Sequence, residues 1–459
     1  MGVRAEEAIG RVPGQALAEW LTRHRWFAAS GHGVPRVEVP VVVPVPGRDD
    51  LAVAIVVATL PAGTREHYQV PLVLGDARDV AEPVAVFGDL ALGDALVHPH
   101  AGPAFARFAQ EAGRAEGTGG VVVVDTAGSP GAPPATATRL MPGHQTHSSI
   151  VLDDRLLLKA YRRLTPGTSP ELEMIGFLSR HGFGSVPPLR GWYALQSGTL
   201  DATLGITQEF IPGATDGWTR VLALLRGAHG SITGEMSGLG AALGRMHAVL
   251  GSDPSDPVFA PIRKDPIEME IVVATIDEDL RGMFAAHGDD ERLAPLRGCE
   301  ADLRALVAER AAVDDLGMAV RVHGDMHLGQ AIIDPAGAWW IIDFEGEPMR
   351  TVRDRRHHRS PLRDLAGLLG SIGYACSVTR AMGREVPDEV ASAVRAAALD
   401  GYFTAVDPAL LPVGDRGVEA LLGLYSIEKL VYELRYELAY RPEWVGIPAE
   451  GLAGVLAAA

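Results

Sequence analysis

In the first ninety residues, a stretch over 15–25 has apolar positions three and four apart, and it ends in Trp26-Phe27. That spacing predicts an amphipathic helix. Two apolar, partly alternating runs follow, over 37–44 and 51–60, split by Pro46, Gly47, Arg48, Asp49 and Asp50. Alternation interrupted by turn formers predicts strands. Further on, strand-like runs over 136–140 and 149–158 enclose the polar segment GHQTHS, and Lys159 ends the second run. A loop rich in Pro and Gly leads into a helical stretch over 170–181 that carries Glu171 and Glu173, and an apolar run covers 202–206. From about residue 212 the pattern turns helical, over 238–250, 267–286, 293–313, 386–405 and 418–440. Two short runs of strand formers interrupt it, 331–333 and 339–342. Asp334-Pro335-Ala336-Gly337 separates them, which predicts a compact hairpin.

Each end of that hairpin meets a carboxylate-bearing loop, HGDMHLGQ before it and IDFEGEP after it. If the chain reverses at Ala336-Gly337, positions summing to 673 face each other and Gln330 lies opposite Asp343. Reversal at Pro335-Ala336 moves the register by two and still leaves them close. Asp325 sits five residues before Gln330, between Gly324 and Gly329, in a loop able to curl over the open end of the hairpin. Phosphoryl transfer needs this kind of pairing: one Asp faces the acceptor hydroxyl, while a second Asp and an amide hold the metal that neutralises nucleotide phosphates. His323 and His327, four apart, also allow a zinc site completed by Asp325 or Asp343. The glycines and the following strand weigh against the helix that spacing requires. His323 is read as a scaffold within its loop, and the role of His327 stays open.

The 459 residues allow two or three units with sizeable cores. A net charge of −17 argues against nucleic acid or an anionic membrane as partner. No uncharged apolar run reaches the roughly 20 residues that span a bilayer, and MGVRAEEAIG lacks the apolar core of a secretory signal. Cys299 and Cys376 alone exclude a disulfide framework and point to free thiols in a reducing cytosol. The expectation is a cytoplasmic monomer acting on a small molecule.

HGDMHLGQ followed by IDFEGEP resembles the bacterial maltokinases, a branch of the aminoglycoside-phosphotransferase and protein-kinase-like fold. SPLRDLAG (360–367), YELRYELAYRPEW (432–444) and RHRWFAASG (23–31) fit the same family, so the resemblance spans nearly the whole chain. It implies a bilobal α+β kinase-like fold with an N-terminal cap: cap over 1–90, N-lobe over 91–206, helical C-lobe over 207–459. It implies ATP and Mg²⁺ as cofactors. Asp325 would be the catalytic base, with Gln330 and Asp343 on the metal. Lys159 would bind the nucleotide phosphates, oriented by Glu173 rather than Glu171, which lies two residues away on the helix and points elsewhere. No G-x-G-x-x-G loop is present, so Gln145 and Ser148 in the polar segment would cover the phosphates. Gln208 and Phe210 would form the adenine hinge. The acceptor would meet Glu345, Tyr432, Glu437 and Arg441. Asp364, opening a helix, would tie down the catalytic loop. Maltose is the family default acceptor. Departures at His147, at PGTSPELE after Lys159 and at His357-His358-Arg359 instead resemble the actinobacterial aminosugar-kinase branch, in which glucosamine is phosphorylated at its 6-hydroxyl.

Overall fold

The computed structural model describes residues 3–27, 33–127, 137–141, 147–347 and 350–457. Contacts divide the chain into two compact units, Met1–Gly176 with Pro187–Pro212, and Phe177–Val186 with Gly213–Ala459.

The first unit holds two antiparallel sheets. In one, the strand order is Arg36–Val45, Arg48–Thr59, Arg65–Asp76, Leu90–Asp94, Ala85–Phe87, and Arg163–Leu164 adds to the Arg65–Asp76 strand. The helices Ala5–Gly10 and Gly14–Thr22 lay Ile9, Leu17, Trp20 and Leu21 on this sheet, against Ala54, Val56, Tyr68 and Val70. Each such fully buried large side chain contributes about 1.5–3 kcal/mol of transfer free energy. The strand Leu90–Asp94 belongs to this first sheet and carries it past residue 90, where the cap was expected to end.

The second sheet runs Gly113–Gly117, Gly120–Asp125, Leu189–Ser197, Ala202–Glu209, Leu156–Tyr161, His147–Leu152, Thr138–Leu140. The run expected as one strand over 149–158 is two strands. Asp153 and Asp154, at φ 49° and 51°, make a tight turn between them. Aspartate tolerates the left-handed region, and because both strands are largely buried the apolar pattern passes over the turn without a break. Lys159 therefore lies within a strand, opposite Ser149 on one neighbour and Ile206 on the other.

The second unit is mostly helical. Its longer helices are Ile232–Leu250, Pro266–His287, Leu362–Ala381, Asp388–Ala405 and Asp415–Tyr440. The helix expected over 293–313 is broken into the 3₁₀ segment Glu291–Leu296 and the helix Glu300–Ala311. Pro295 removes an amide donor, and Gly298 turns the chain at φ +79°. Helices Ile232–Leu250 and Asp388–Ala405 approach so closely that a Cβ on Gly401 would lie 2.0 Å from the Ser237 carbonyl oxygen. No helix among the described residues is long and apolar enough to cross a membrane.

Candidate active site

The predicted hairpin forms, but in neither expected register. Ala331 pairs with Ile341, Ile332 with Trp340 and Ile333 with Trp339, so paired numbers sum to 672. Pro335, Ala336 and Gly337 form a three-residue loop. The Gly337 amide donates to the Asp334 carbonyl at 3.0 Å, and Gly337 adopts φ +87°. This is a turn followed by a left-handed residue, an arrangement that offsets the strands by one position. The Ile342 amide consequently bonds the Gln330 carbonyl, and Asp343 lies one residue beyond. Side-chain reach closes the difference: Gln330 Nε2 donates to Asp343 Oδ2 at 3.3 Å. Trp339 Nε1 donates to the Glu235 carbonyl at 2.8 Å and ties the hairpin to helix Ile232–Leu250.

His323 joins the two carboxylate loops. Its Nδ1 accepts the Asp325 backbone amide at 3.3 Å, while Nε2 meets the Ile342 carbonyl at 2.9 Å. One nitrogen must accept and the other donate, so the proton sits on Nε2. A Cβ on Gly324 (φ +82°) would lie 3.7 Å from Cα of Gly346 (φ +75°), so the loops are in contact there as well. Beneath them Asp364, at the start of helix Leu362–Ala381, accepts the His323 amide at 2.7 Å, the Gly324 amide at 2.9 Å and His247 Nε2 at 3.0 Å. Burial would raise this carboxyl, but those hydrogen bonds outweigh it and hold it below the ordinary range. The anchoring role expected for Asp364 is the one its contacts describe. Gly367, one turn along, lets the helix approach the loop: a Cβ there would be 2.4 Å from the Met326 carbonyl.

The zinc alternative loses His323 as a ligand. Both ring nitrogens of His323 are engaged, and His327 Nδ1 accepts the Gly329 amide at 3.0 Å. Burial lowers the His327 pKa to about 4, so it is neutral at physiological pH and serves its loop.

Asp325 is 19% exposed. Burial pushes its carboxyl up to about 6, against the opposing pull of Lys429 and His323. Lys429 Nζ stands 4.0 Å from Asp325 Oδ1 and 5.2 Å from the centre of the Tyr432 ring. Asp325, Lys429 and Tyr432 line one cavity with Arg350, Arg363 and Glu428. Nothing local in the sequence links Lys429 to Asp325, which lies outside its helix.

That helix, Asp415–Tyr440, buries Leu424, Ile427, Val431 and Leu434, and Glu437 continues the same stripe at 2% exposure. Glu437 Oε1 accepts from Arg441 at 2.6 Å and from the Tyr374 hydroxyl at 3.3 Å; Oε2 is buried and has no partner among the described residues. Burial raises the carboxyls of Glu433 and Glu437. Arg441 lies 5.1 Å over the Tyr436 ring. Trp218, Tyr374 and Trp444 form a chain of rings beside Glu437, with centroids 5.9 and 6.4 Å apart. Tyr374 and Trp218 went unnoticed in the sequence because they come from two other helices. Glu345 is half-buried, and its carbonyl accepts from Arg355 at 3.4 Å.

In the first unit, Lys159 is 4% exposed. Its Nζ lies 2.9 Å from Glu171 Oε2, which also accepts the Tyr161 hydroxyl at 2.7 Å. The buried ion pair therefore belongs to Glu171, correcting the choice of Glu173. The helix starts at Pro170, and its first turn points Glu171 inward at 1% exposure while Glu173 is half-buried. Glu171→Gln is expected to lower kcat/KM for nucleotide roughly 10–100-fold, the cost of one charged hydrogen bond. Steady-state kinetics of the variant against wild type checks this.

Two other assignments change. Ser148 is buried and its Oγ accepts from Arg162 Nε at 2.8 Å, so it braces the sheet. Gln208 donates to the Pro187 carbonyl at 3.0 Å, and the Phe210 amide to the Arg155 carbonyl at 2.9 Å, so neither of these donors is left for a base. Gln145 lies outside the described residues.

Asp343 and Gln330 supply a carboxylate and a carboxamide, the hard oxygen donors Mg²⁺ prefers. Their heads already lie side by side, and a half-turn of the amide would present Oε1. Asp343 holds φ +65°, a left-handed conformation that aspartate tolerates better than most residues. These residues fit the metal.

Comparison with known proteins agrees with this architecture. The family model of the maltokinase N-terminal cap domain matches residues 20–97. A glucosamine kinase of Streptacidiphilus jiangxiensis is 29% identical over 344 residues, 71% of this chain and 75% of that one. A glucosamine kinase of Mycolicibacterium smegmatis is 26% identical over 326 residues, 68% and 78% of the two chains. The solved structure of a glucosamine kinase in complex with glucosamine, ADP and inorganic phosphate matches with TM-score 0.67 and 21% identity, covering 97% of this chain and 100% of that one. The chain thus carries a match to the maltokinase N-terminal cap domain over residues 20–97, is similar to actinobacterial glucosamine kinases and shares the fold of a solved glucosamine kinase.

Proposed function

We propose that this protein is an ATP-dependent sugar kinase that transfers the γ-phosphate to the 6-hydroxyl of glucosamine. The observation that carries the reading is the joining of the Asp325 and Asp343 loops through one histidine, above a single buried carboxylate. Asp325 accepts the hydroxyl proton as the sugar oxygen bonds to the γ-phosphorus and the bond to the ADP oxygen breaks. Lys429 favours the ionised base, against the effect of burial. Bound Mg²⁺, held by Asp343 and Gln330, would neutralise nucleotide phosphate charge. Lys159, held by Glu171 in the first unit, is the lysine this reading assigns to nucleotide phosphate.

The acceptor wall is the face of helix Asp415–Tyr440. Glu437 is a buried carboxylate and Glu433 a half-buried one, and an ammonium or a ring of hydroxyls would replace the solvation they lack. The rings of Tyr374 and Trp444 offer a stacking surface for sugar C–H groups. Glucosamine kinases among the relatives favour the aminosugar, and the maltokinase cap favours maltose as the second reading. The protein is taken as a cytoplasmic monomer.

A coupled assay of ADP release with glucosamine, maltose, glucose and an aminoglycoside tests this. Glucosamine is expected to turn over fastest, with phosphate on O6 by NMR. Turnover of maltose alone would replace the aminosugar reading, and ADP release with none of them would remove the kinase assignment.

A further inference from the structure

The role of the N-terminal cap is unassigned. The strand that carries Lys159 does not end within its own sheet. Leu156–Tyr161 continues into Arg163–Leu164, which pairs with the cap strand Arg65–Asp76 through Arg163–Tyr68 and Leu164–His67. Four residues after Lys159 the chain thus belongs to the cap sheet.

Cap side chains hold this crossing point. Gln69, fully buried, donates through Nε2 to the Tyr161 carbonyl at 3.0 Å and to the Leu204 carbonyl at 2.8 Å. One amide therefore fastens the lysine strand and its neighbour. The Gln69 backbone amide donates to the Arg162 carbonyl at 2.8 Å. Arg162, 1% exposed, forms an ion pair with Asp94, donates to Ser148 Oγ at 2.8 Å and lies 4.8 Å from the centre of the Trp26 ring. Lys159 and Tyr161 meet Glu171, whereas Arg162 turns to the cap. A second join lies elsewhere: the Val42 amide donates to the Thr118 carbonyl at 3.0 Å, and a Cβ on Gly119 would fall 2.2 Å from the Pro40 carbonyl. Trp26, Gln69 and Asp94 all fall within the matched cap domain.

We infer that the cap is a positioning element for the nucleotide lysine: Gln69 and the Asp94–Arg162 pair fix the strand that presents Lys159 and so set nucleotide affinity. This rests on the kinase reading above. A buried fork-shaped cation between a carboxylate, a hydroxyl and an aromatic face has one arrangement, and the backbone carrying it has correspondingly little freedom.

The test uses the full chain and four proteins: wild type, Gln69→Leu, Arg162→Lys and Leu17→Ala. Leu17 is 3% exposed in the cap core and belongs to neither join, so its variant controls for loss of stability alone. Mg-ADP binding by calorimetry and KM for Mg-ATP are expected to weaken by about tenfold in Gln69→Leu and Arg162→Lys. The KM for glucosamine should stay within about twofold, the pattern of binding lost from one substrate. Leu17→Ala should melt earlier with its Mg-ATP KM unchanged. If either join variant fails to fold, the other carries the comparison. Unchanged nucleotide affinity in the folded join variants, or an equal loss in Leu17→Ala, overturns the inference while leaving the kinase reading in place. A wild-type protein that binds no Mg-ADP overturns both.

Discussion

Asp325→Asn is expected to lower kcat by about 10²–10⁴-fold, the span of a positioned general base, while Mg-ADP affinity measured by calorimetry stays near wild type. The asparagine keeps the size and the hydrogen bond from its backbone amide to His323, but it cannot take a proton. Loss of nucleotide binding in parallel would move Asp325 from base to metal ligand or structural residue. The pH profile gives a second, independent readout. Burial raises the Asp325 carboxyl to about 6, and the ionised form is the active one. Wild-type kcat/KM should therefore be full above that value and fall as pH drops below it, a limb that Asp325→Asn lacks. Lys429 opposes the effect of burial, so Lys429→Met raises the carboxyl further and shifts the limb toward alkaline pH. An unmoved limb in that variant would detach Lys429 from the base.

Asp364→Ala is expected to give the largest loss of stability. Asp364 is 2% exposed and accepts two loop amides and His247. Removing it leaves those donors buried without acceptors, an effect of about 3–5 kcal/mol for a broken buried pair. Thermal melting would show the loss, and the residual folded enzyme should also have reduced kcat because His323 and Gly324 no longer have a fixed position. The sign with pH follows from the lowered carboxyl. Its contribution is present above the unfolded-state value and disappears as pH falls through the lower folded-state value. An Asp364→Ala protein that melts like wild type would show that other contacts hold the loop.

Much of the site was legible locally. The hairpin and the loops at its mouth follow from turn chemistry and strand formers over a few residues. The one-position register error came from the same source. Asp334-Pro335-Ala336-Gly337 signals a turn, but whether the loop holds two or three residues depends on which one adopts the left-handed conformation, here Gly337. The hidden reversal at Asp153-Asp154 was missed because both flanking strands are apolar on both faces.

Periodicity and turn residues act over a single helical turn or hairpin, so the amino-acid sequence alone determined the element types and the pairing of two carboxylate loops. Partner choice is different. Glu171 takes Lys159 because of where a helix begins relative to a strand, and Lys429 reaches Asp325 from a helix near the other end of the chain. Ser148 and Gln208 serve the sheet because buried groups must find partners wherever packing places them. Only the tertiary structure decided those, since solvent exclusion and charge proximity are properties of the packed chain.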